Sequence, residues 1–136
     1  MYLLDTNVVS ELRRPRPHGG VVAWLASVAP EDLFLSAVTL GELQAGVERV
    51  RQQDPTRSGV IEAWIESLAD SYGILPMDGR AFRRWAHLMH GQPPDLIAGA
   101  MIAATARTHG LTLVTRNVRD FERLGLTVID PFQWQL

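Results

Sequence analysis

Short apolar runs recur along this sequence at wide intervals: Tyr2–Leu4, Leu33–Leu35, Ile74–Leu75, Leu111–Val114 and Leu126–Ile129. Longer segments with helical spacing lie between them. Strand and helix in regular exchange are the signature of an α/β chain, and strands that are apolar throughout are buried on both faces. The expected architecture is a single domain over residues 1–136, with a mostly parallel central sheet flanked by helices on both faces and residues 131–136 as a C-terminal tail.

The helical segments have recognisable ends. Asn7 opens Val8–Arg13, which Pro15 and Pro17 stop, and Gly20–Val28 places Val21, Trp24, Leu25 and Val28 at helical spacing ahead of Pro30. Ser36 and Thr39 precede a long helix with Leu40, Leu43, Val47 and Val50 on one face, and Pro55 begins another that reaches Tyr72. Asp78 suits an N-cap, and Gly91–Pro94 is the strongest break of the second half. Asp95–His109 is alanine-rich, as expected for a helix buried against a sheet, with Gly110 as its left-handed stop. A short helix, Asn117–Leu124, follows the fourth strand. Trp24, Trp64 and Trp85 fall at apolar positions and read as packing anchors, whereas Phe132 and Trp134 in the tail read as interface residues.

Composition removes several function classes. There is no cysteine, so disulfides and thiolate metal sites are excluded and any metal must take oxygen or imidazole ligands. All 13 basic side chains are arginine, which excludes P-loop NTPases and Schiff-base enzymes because both need lysine. His87 and His90 share a helix three residues apart, but no third ligand follows at metal spacing, and they read as solvated. A net charge of −2 gives no bulk attraction for nucleic acid. No apolar run approaches the ~20 residues of a membrane span, and Met1–Asp5 leads directly into structure, so a cytoplasmic location is expected.

In open parallel sheets ligands gather at the carboxyl ends of the strands, and the polar residues just past those ends are the place to look for chemistry. Asp5 follows the first strand, Glu42 comes soon after the second, and Asn117 and Asp120 follow the fourth. Asp95 begins the helix that feeds that fourth strand. Acids from distant positions converging on one edge would suit a hard, oxygen-seeking cation. Each also has a purely structural role available. Asp5 could serve the turn into the first helix, Thr39 and Glu42 match a capping box, and Asn117 and Asp95 match N-caps.

Three blocks carry a family resemblance: LLDTNVVSEL at residues 3–12, LSAVTLGEL at 35–43 and MIAATARTHGLTLVTRNVRDF at 101–121. Together and in this order they resemble the PIN-domain ribonucleases of the VapC toxin type. The resemblance implies that Asp5, Glu42 and Asp120 hold Mg2+, for which Mn2+ can substitute, with Asn117 beside them and with Thr6 and Thr115 bordering the site. It further implies hydrolysis of RNA phosphodiesters by metal-activated water, a cognate antitoxin whose C-terminal segment covers the acidic groove, and a homodimer. Arg116 and Arg119 lie beside the closing acids, where they could contact the RNA backbone, and Arg13, Arg14 and Arg16 form a second candidate strip.

One position departs from the pattern. The family's third acid stands three residues before the IAATA segment, which places it at Gly99 in this sequence. Asp95 lies four residues earlier, on the same face of the expected helix and displaced by ~6 Å along its axis, from where it could act through water. Two rivals to an active nuclease follow. One is a catalytically inactive member that binds antitoxin without cutting RNA, supported by Gly99. The other is a phosphoacceptor receiver domain, against which the missing late-strand lysine counts.

Overall fold

In a computed structural model that describes residues 1–135, the apolar runs form one five-stranded sheet, parallel throughout, in the order β3-β2-β1-β4-β5. The strands are β1 (Tyr2–Leu4), β2 (Leu33–Ser36), β3 (Gly73–Leu75), β4 (Thr112–Val114) and β5 (Val128–Ile129). The chain builds outward from β1 through β2 to β3, then crosses back to place β4 on the other side of β1. Leu3 of β1 therefore lies between Phe34 of β2 and Leu113 of β4. The order of construction reverses between β1 and β4, the kind of point where a crevice opens beyond the strand ends.

The connecting helices are α1 (Thr6–Leu12), α2 (Gly19–Ala26), α3 (Ala37–Arg51), α4 (Pro55–Ser71), α5 (Gly79–Met89), α6 (Ile97–His109) and α7 (Val118–Arg123). They cover both faces of the sheet, as the unbroken apolar strands require. Successive strand side chains point to opposite faces, so Leu4, Leu35 and Val114 pack with Val8, Val9, Val21 and Trp24 of α1 and α2. Leu3 and Leu113 face the other way, onto Ile102 and Ala103 of α6 and Phe121 of α7. Trp24 is buried edge-on against Tyr2, with 5.1 Å between ring centroids, and Trp64 and Trp85 pack partly buried against the core clusters.

Several local expectations change. Ser36, not Thr39, caps α3: its hydroxyl accepts the Val38 N–H at 3.1 Å, which leaves Thr39 inside the first turn and frees Glu42 from a capping box. Asp95 caps nothing. It sits in a 3-10 turn, Pro94–Leu96, and α6 begins two residues later at Ile97, so Asp95 and Gly99 do not share one α-helical face. Asn117 holds the cap position of α7 without a side-chain hydrogen bond to it. Leu111 falls outside β4, in the turn that closes α6, because Gly110 at φ 65° redirects the chain and the Leu111 N–H returns to the Ala106 carbonyl at 2.9 Å. Phe132 is buried in the core, where Pro131–Gln133 forms a 3-10 turn against α2, and so it is not an interface residue; Trp134 is exposed. Of the expected tail, Leu136 lies outside the described residues.

Candidate active site

A cleft of about 400 Å³ opens at the carboxyl edge of the sheet, and four acids contribute to its wall: Asp5, Glu42, Asp95 and Asp120. Thr6, Asn117 and Gly99 also line it. The expected site residues are thus brought together, apart from Thr115, Arg116 and Arg119, which stand behind or beside the cleft.

Asp5 is held from several sides. β1 ends at Leu4, and the Asp5 N–H continues the ladder by donating to the Val114 carbonyl at 2.8 Å. Its Oδ1 accepts the Thr6 N–H at 2.8 Å, while Oδ2 accepts the Thr115 hydroxyl at 2.8 Å and the Asn7 amide at 3.3 Å. The turn-forming role of Asp5 is therefore real, and it coexists with a carboxyl on the cleft. Only 6 % of the residue is exposed. Burial pushes its carboxyl above the ordinary aspartate range; hydrogen bonds from Thr115 and the Thr6 N–H oppose this, and the charge of Glu42 adds to it.

Thr6 joins the first two acids. Its N–H binds Asp5, and its hydroxyl donates to Glu42 Oε1 at 2.7 Å while lying 2.9 Å from the Thr39 hydroxyl. Glu42 itself is exposed on α3, so this contact is what directs it inward. On the opposite side Thr115 is fully buried, and its oxygen also accepts the Asn117 N–H at 3.0 Å, which ties the β4–α7 loop to Asp5. Asn7 completes the lattice by accepting the Arg116 N–H at 3.3 Å. Asn7 was visible in the sequence only as a helix opener, and its place in the site follows from a contact 109 positions away.

Arg116 turns its guanidinium over the Phe132 ring, 4.5 Å from the centroid, and Arg119 is exposed beside Asp120 and Asp130 on an adjoining depression. Gly99 sits in the first turn of α6, and a methyl group there would meet only Phe121, at 3.6 and 3.8 Å. Nothing steric excludes a side chain at this position.

Every acidic donor here is a carboxylate oxygen, which suits a hard divalent cation. Among the described residues, no three histidine, aspartate or glutamate side chains stand close enough together to hold a metal ion. Mg2+, however, is commonly bound through one or two carboxylates, with waters and substrate phosphate completing its shell. The Asp5–Glu42 pair fits that mode, with Asp120 across the cleft and the side at Gly99 left open.

Comparison with known proteins bears on the family and the fold. The PIN domain family model matches residues 2–126. The chain is 37 % identical to the toxin FitB of Neisseria gonorrhoeae over 97 % of its own length and 99 % of that protein's. It superposes on the crystal structure of FitAcB from the same organism with a TM-score of 0.86, at 37 % identity over 98 % of this chain and 99 % of that one. It is also 37 % identical to the VapC ribonuclease Y4jK of Sinorhizobium fredii, over 98 % of this chain and 99 % of the relative. A toxin–antitoxin complex from Klebsiella pneumoniae aligns with a TM-score of 0.68 at 25 % identity, covering 96 % of this chain and 98 % of that one.

Proposed function

Because this chain belongs to the PIN-domain family, we propose that it is a toxin acting as a Mg2+- or Mn2+-dependent endoribonuclease, with Asp5, Glu42 and Asp120 facing the metal. The observation that carries this reading is the Thr6 bridge, which aims two carboxylates, one at the end of β1 and one on α3, into one cleft at the sheet's reversal point. A bound divalent cation would neutralise charge on the scissile phosphate and lower the pKa of a water. The protein's part is positional. Thr115 and Asn7 fix the Asp5 carboxyl, Thr6 fixes Glu42, and Asn117 and Asp120 present polar groups from the far wall. Arg119 is placed to meet the RNA backbone beside the cleft, whereas Arg116 is committed to Phe132.

The partners follow from the same kinship: an antitoxin that covers the acidic cleft, an RNA substrate and a second copy of the chain. Among the described residues no helix is long and apolar enough to cross a membrane.

A second reading is favoured by Gly99 and by the absence of a three-acid group among the described residues: a PIN-fold protein that binds antitoxin without cutting RNA. One experiment separates the two. Cleavage of a mixed cellular RNA pool in Mg2+ or Mn2+ is compared for the native chain, Gly99→Asp, and Gly99→Asp combined with Asp5→Asn. The nuclease reading expects metal-dependent cleavage by the native chain, enhanced in Gly99→Asp by on the order of 10–100-fold, the effect typical of strengthening a metal site, and abolished in the double variant. Cleavage by Gly99→Asp alone establishes the inactive-member reading for the native chain.

A further inference from the structure

The acidic cleft poses a difficulty for a polyanionic substrate. Its wall carries four carboxylates and the chain as a whole is at −2, so the energy that holds RNA must come from positive charge located elsewhere. One such surface lies on α5. Arg80, Arg83, Arg84 and His87 are linked by three- and four-residue spacings that put them on one stripe, which His90 extends just past the end of the helix, and all five are exposed. The segment Gly79–Met89 contains no acid, and Arg107 of α6 borders the same surface beside Arg84 and His87. Among the described residues, none of these arginines forms an ion pair; the ion pairs found use Arg14 and Arg51. Shallow hollows adjoin along the stripe, lined by Arg80, Arg83, Arg84 and His87 and then by Arg83, His87 and His90.

The helix that carries the stripe packs on the helix that supplies part of the cleft wall. The Trp85 indole N–H donates to the Ile97 carbonyl at 3.2 Å, joining α5 to the first residue of α6, whose Ala98, Gly99 and Ile102 line the cleft. From the end of α5 the chain passes through Gln92–Pro94 to Asp95 on the cleft wall. Arg80 to His87 spans ~10 Å along the helix axis, enough to meet at least two successive phosphates.

We infer that the exposed stripe of α5 is the surface on which single-stranded RNA is held by its phosphates as it leaves the cleft, an inference that rests on the ribonuclease reading above. Arginine suits this role because its planar fork pairs bidentately with phosphate and stays charged. Unpaired arginines lose no existing ion pair when the RNA arrives.

The test is binding of a fluorescein-labelled mixed-sequence single-stranded RNA, in EDTA so that nothing is cut, followed by anisotropy over a range of salt concentrations. Three proteins are compared: the native chain, a variant carrying Arg80→Gln, Arg83→Gln and Arg84→Gln, and a variant of equal net charge carrying Arg49→Gln, Arg51→Gln and Arg57→Gln on α3 and α4. Each phosphate neutralised contributes ~0.7 to the salt slope for single strands, so the α5 variant should lose up to ~2 from that slope and at least about tenfold in affinity at ~0.1 M salt. The α3–α4 variant should bind like the native chain. If the native chain binds RNA and both variants weaken equally, net charge is responsible and the stripe is not the site. Unchanged RNA binding by the α5 variant, with loss of the dimer or of antitoxin binding, assigns the stripe to a protein partner and overturns the inference while sparing the ribonuclease reading. A native chain that binds no RNA overturns both.

Discussion

Replacing Gly99 by aspartate separates three physical effects that the structure allows to be weighed in advance. Sterically the change is free, because the new Cβ meets only Phe121 at ordinary contact distance. Conformationally it is a small gain: aspartate is ~0.3 kcal/mol better than glycine inside a helix, and an acid in the first turn of α6 adds ~0.3–1 kcal/mol from the helix N-terminus. Electrostatically it is a cost. A third charge joins Asp5 and Glu42 on the cleft wall; like charges about 6 Å apart repel by ~0.7 kcal/mol at the dielectric of water and by ~3 kcal/mol at an effective value of 20, and the open cleft lies between these limits. Without metal, then, Gly99→Asp should be less stable than Gly99→Ala by ~1–3 kcal/mol, while Gly99→Ala should exceed the native chain by up to ~1 kcal/mol. Metal should reverse the order: a cation at about a hundred times its Kd contributes ~2.7 kcal/mol to whichever protein binds it. The assay is calorimetric or fluorescence-monitored melting of all three proteins, in EDTA and across a Mn2+ titration. Gly99→Asp should show the largest rise in Tm and the tightest apparent Kd. A Mn2+-induced shift no larger in Gly99→Asp than in the native chain would refute the claim that this position is the open side of a metal site.

Other outcomes follow from the same geometry. Asp5→Asn should weaken Mn2+ binding more than Asp95→Asn does by titration calorimetry, because Asp5 is buried and fixed by three donors whereas Asp95 is exposed on a 3-10 turn; equal losses would reverse the ranking of the two acids. The raised pKa of Asp5 makes its contribution to stability greatest below the pKa of an unfolded aspartate and loses it as pH rises through the folded value. Chelator-treated protein should therefore lose stability as pH rises above the ordinary aspartate range, and Asp5→Asn should flatten that slope in urea titrations at stepped pH. Gly20→Ala should destabilise by ~1–3 kcal/mol, since its Cβ would come within 2.9 Å of the carbonyl oxygens of both Pro131 and Trp134; an unchanged urea midpoint would show that the C-terminal turn is not packed on α2.

What could be read from the sequence was what depends on local pattern. The strands were legible because apolar runs of three or four residues between capped helices have few other uses, and Asp78 and Gly110 were read correctly as helix ends because capping chemistry is local. Errors arose where two local solutions competed. Ser36 and Thr39 both suit an N-cap, and only the end of β2 at Ser36 decides between them. Phe132 looked like an interface residue because nothing in a six-residue tail shows that α2 will receive it. In the site, the acids were legible by position after strands, but the parts that orient them were not. Thr6 to Glu42 and Thr115 to Asp5 are contacts across 36 and 110 positions, fixed by strand order and not by neighbours in the chain. The α5 stripe is not legible as a feature in the sequence because exposed arginines on a helix are ordinary, and only the packing of α5 on α6 relates it to the cleft.

The central position of β1 divides the cleft into a part supplied by the first third of the sequence and a part supplied much later. β1 is made first and can pair with β2 as soon as Leu33–Ser36 emerges, bringing Asp5, Thr6 and Glu42 together early. Its other edge waits for Thr112–Val114, and the Asp5 carboxyl waits for the Thr115 hydroxyl. At ~5–20 residues per second, about four to fifteen seconds of translation separate Glu42 from Thr115. Through that interval the nascent chain holds two of its acids with neither the far wall of the cleft nor the hydrogen bond that fixes Asp5.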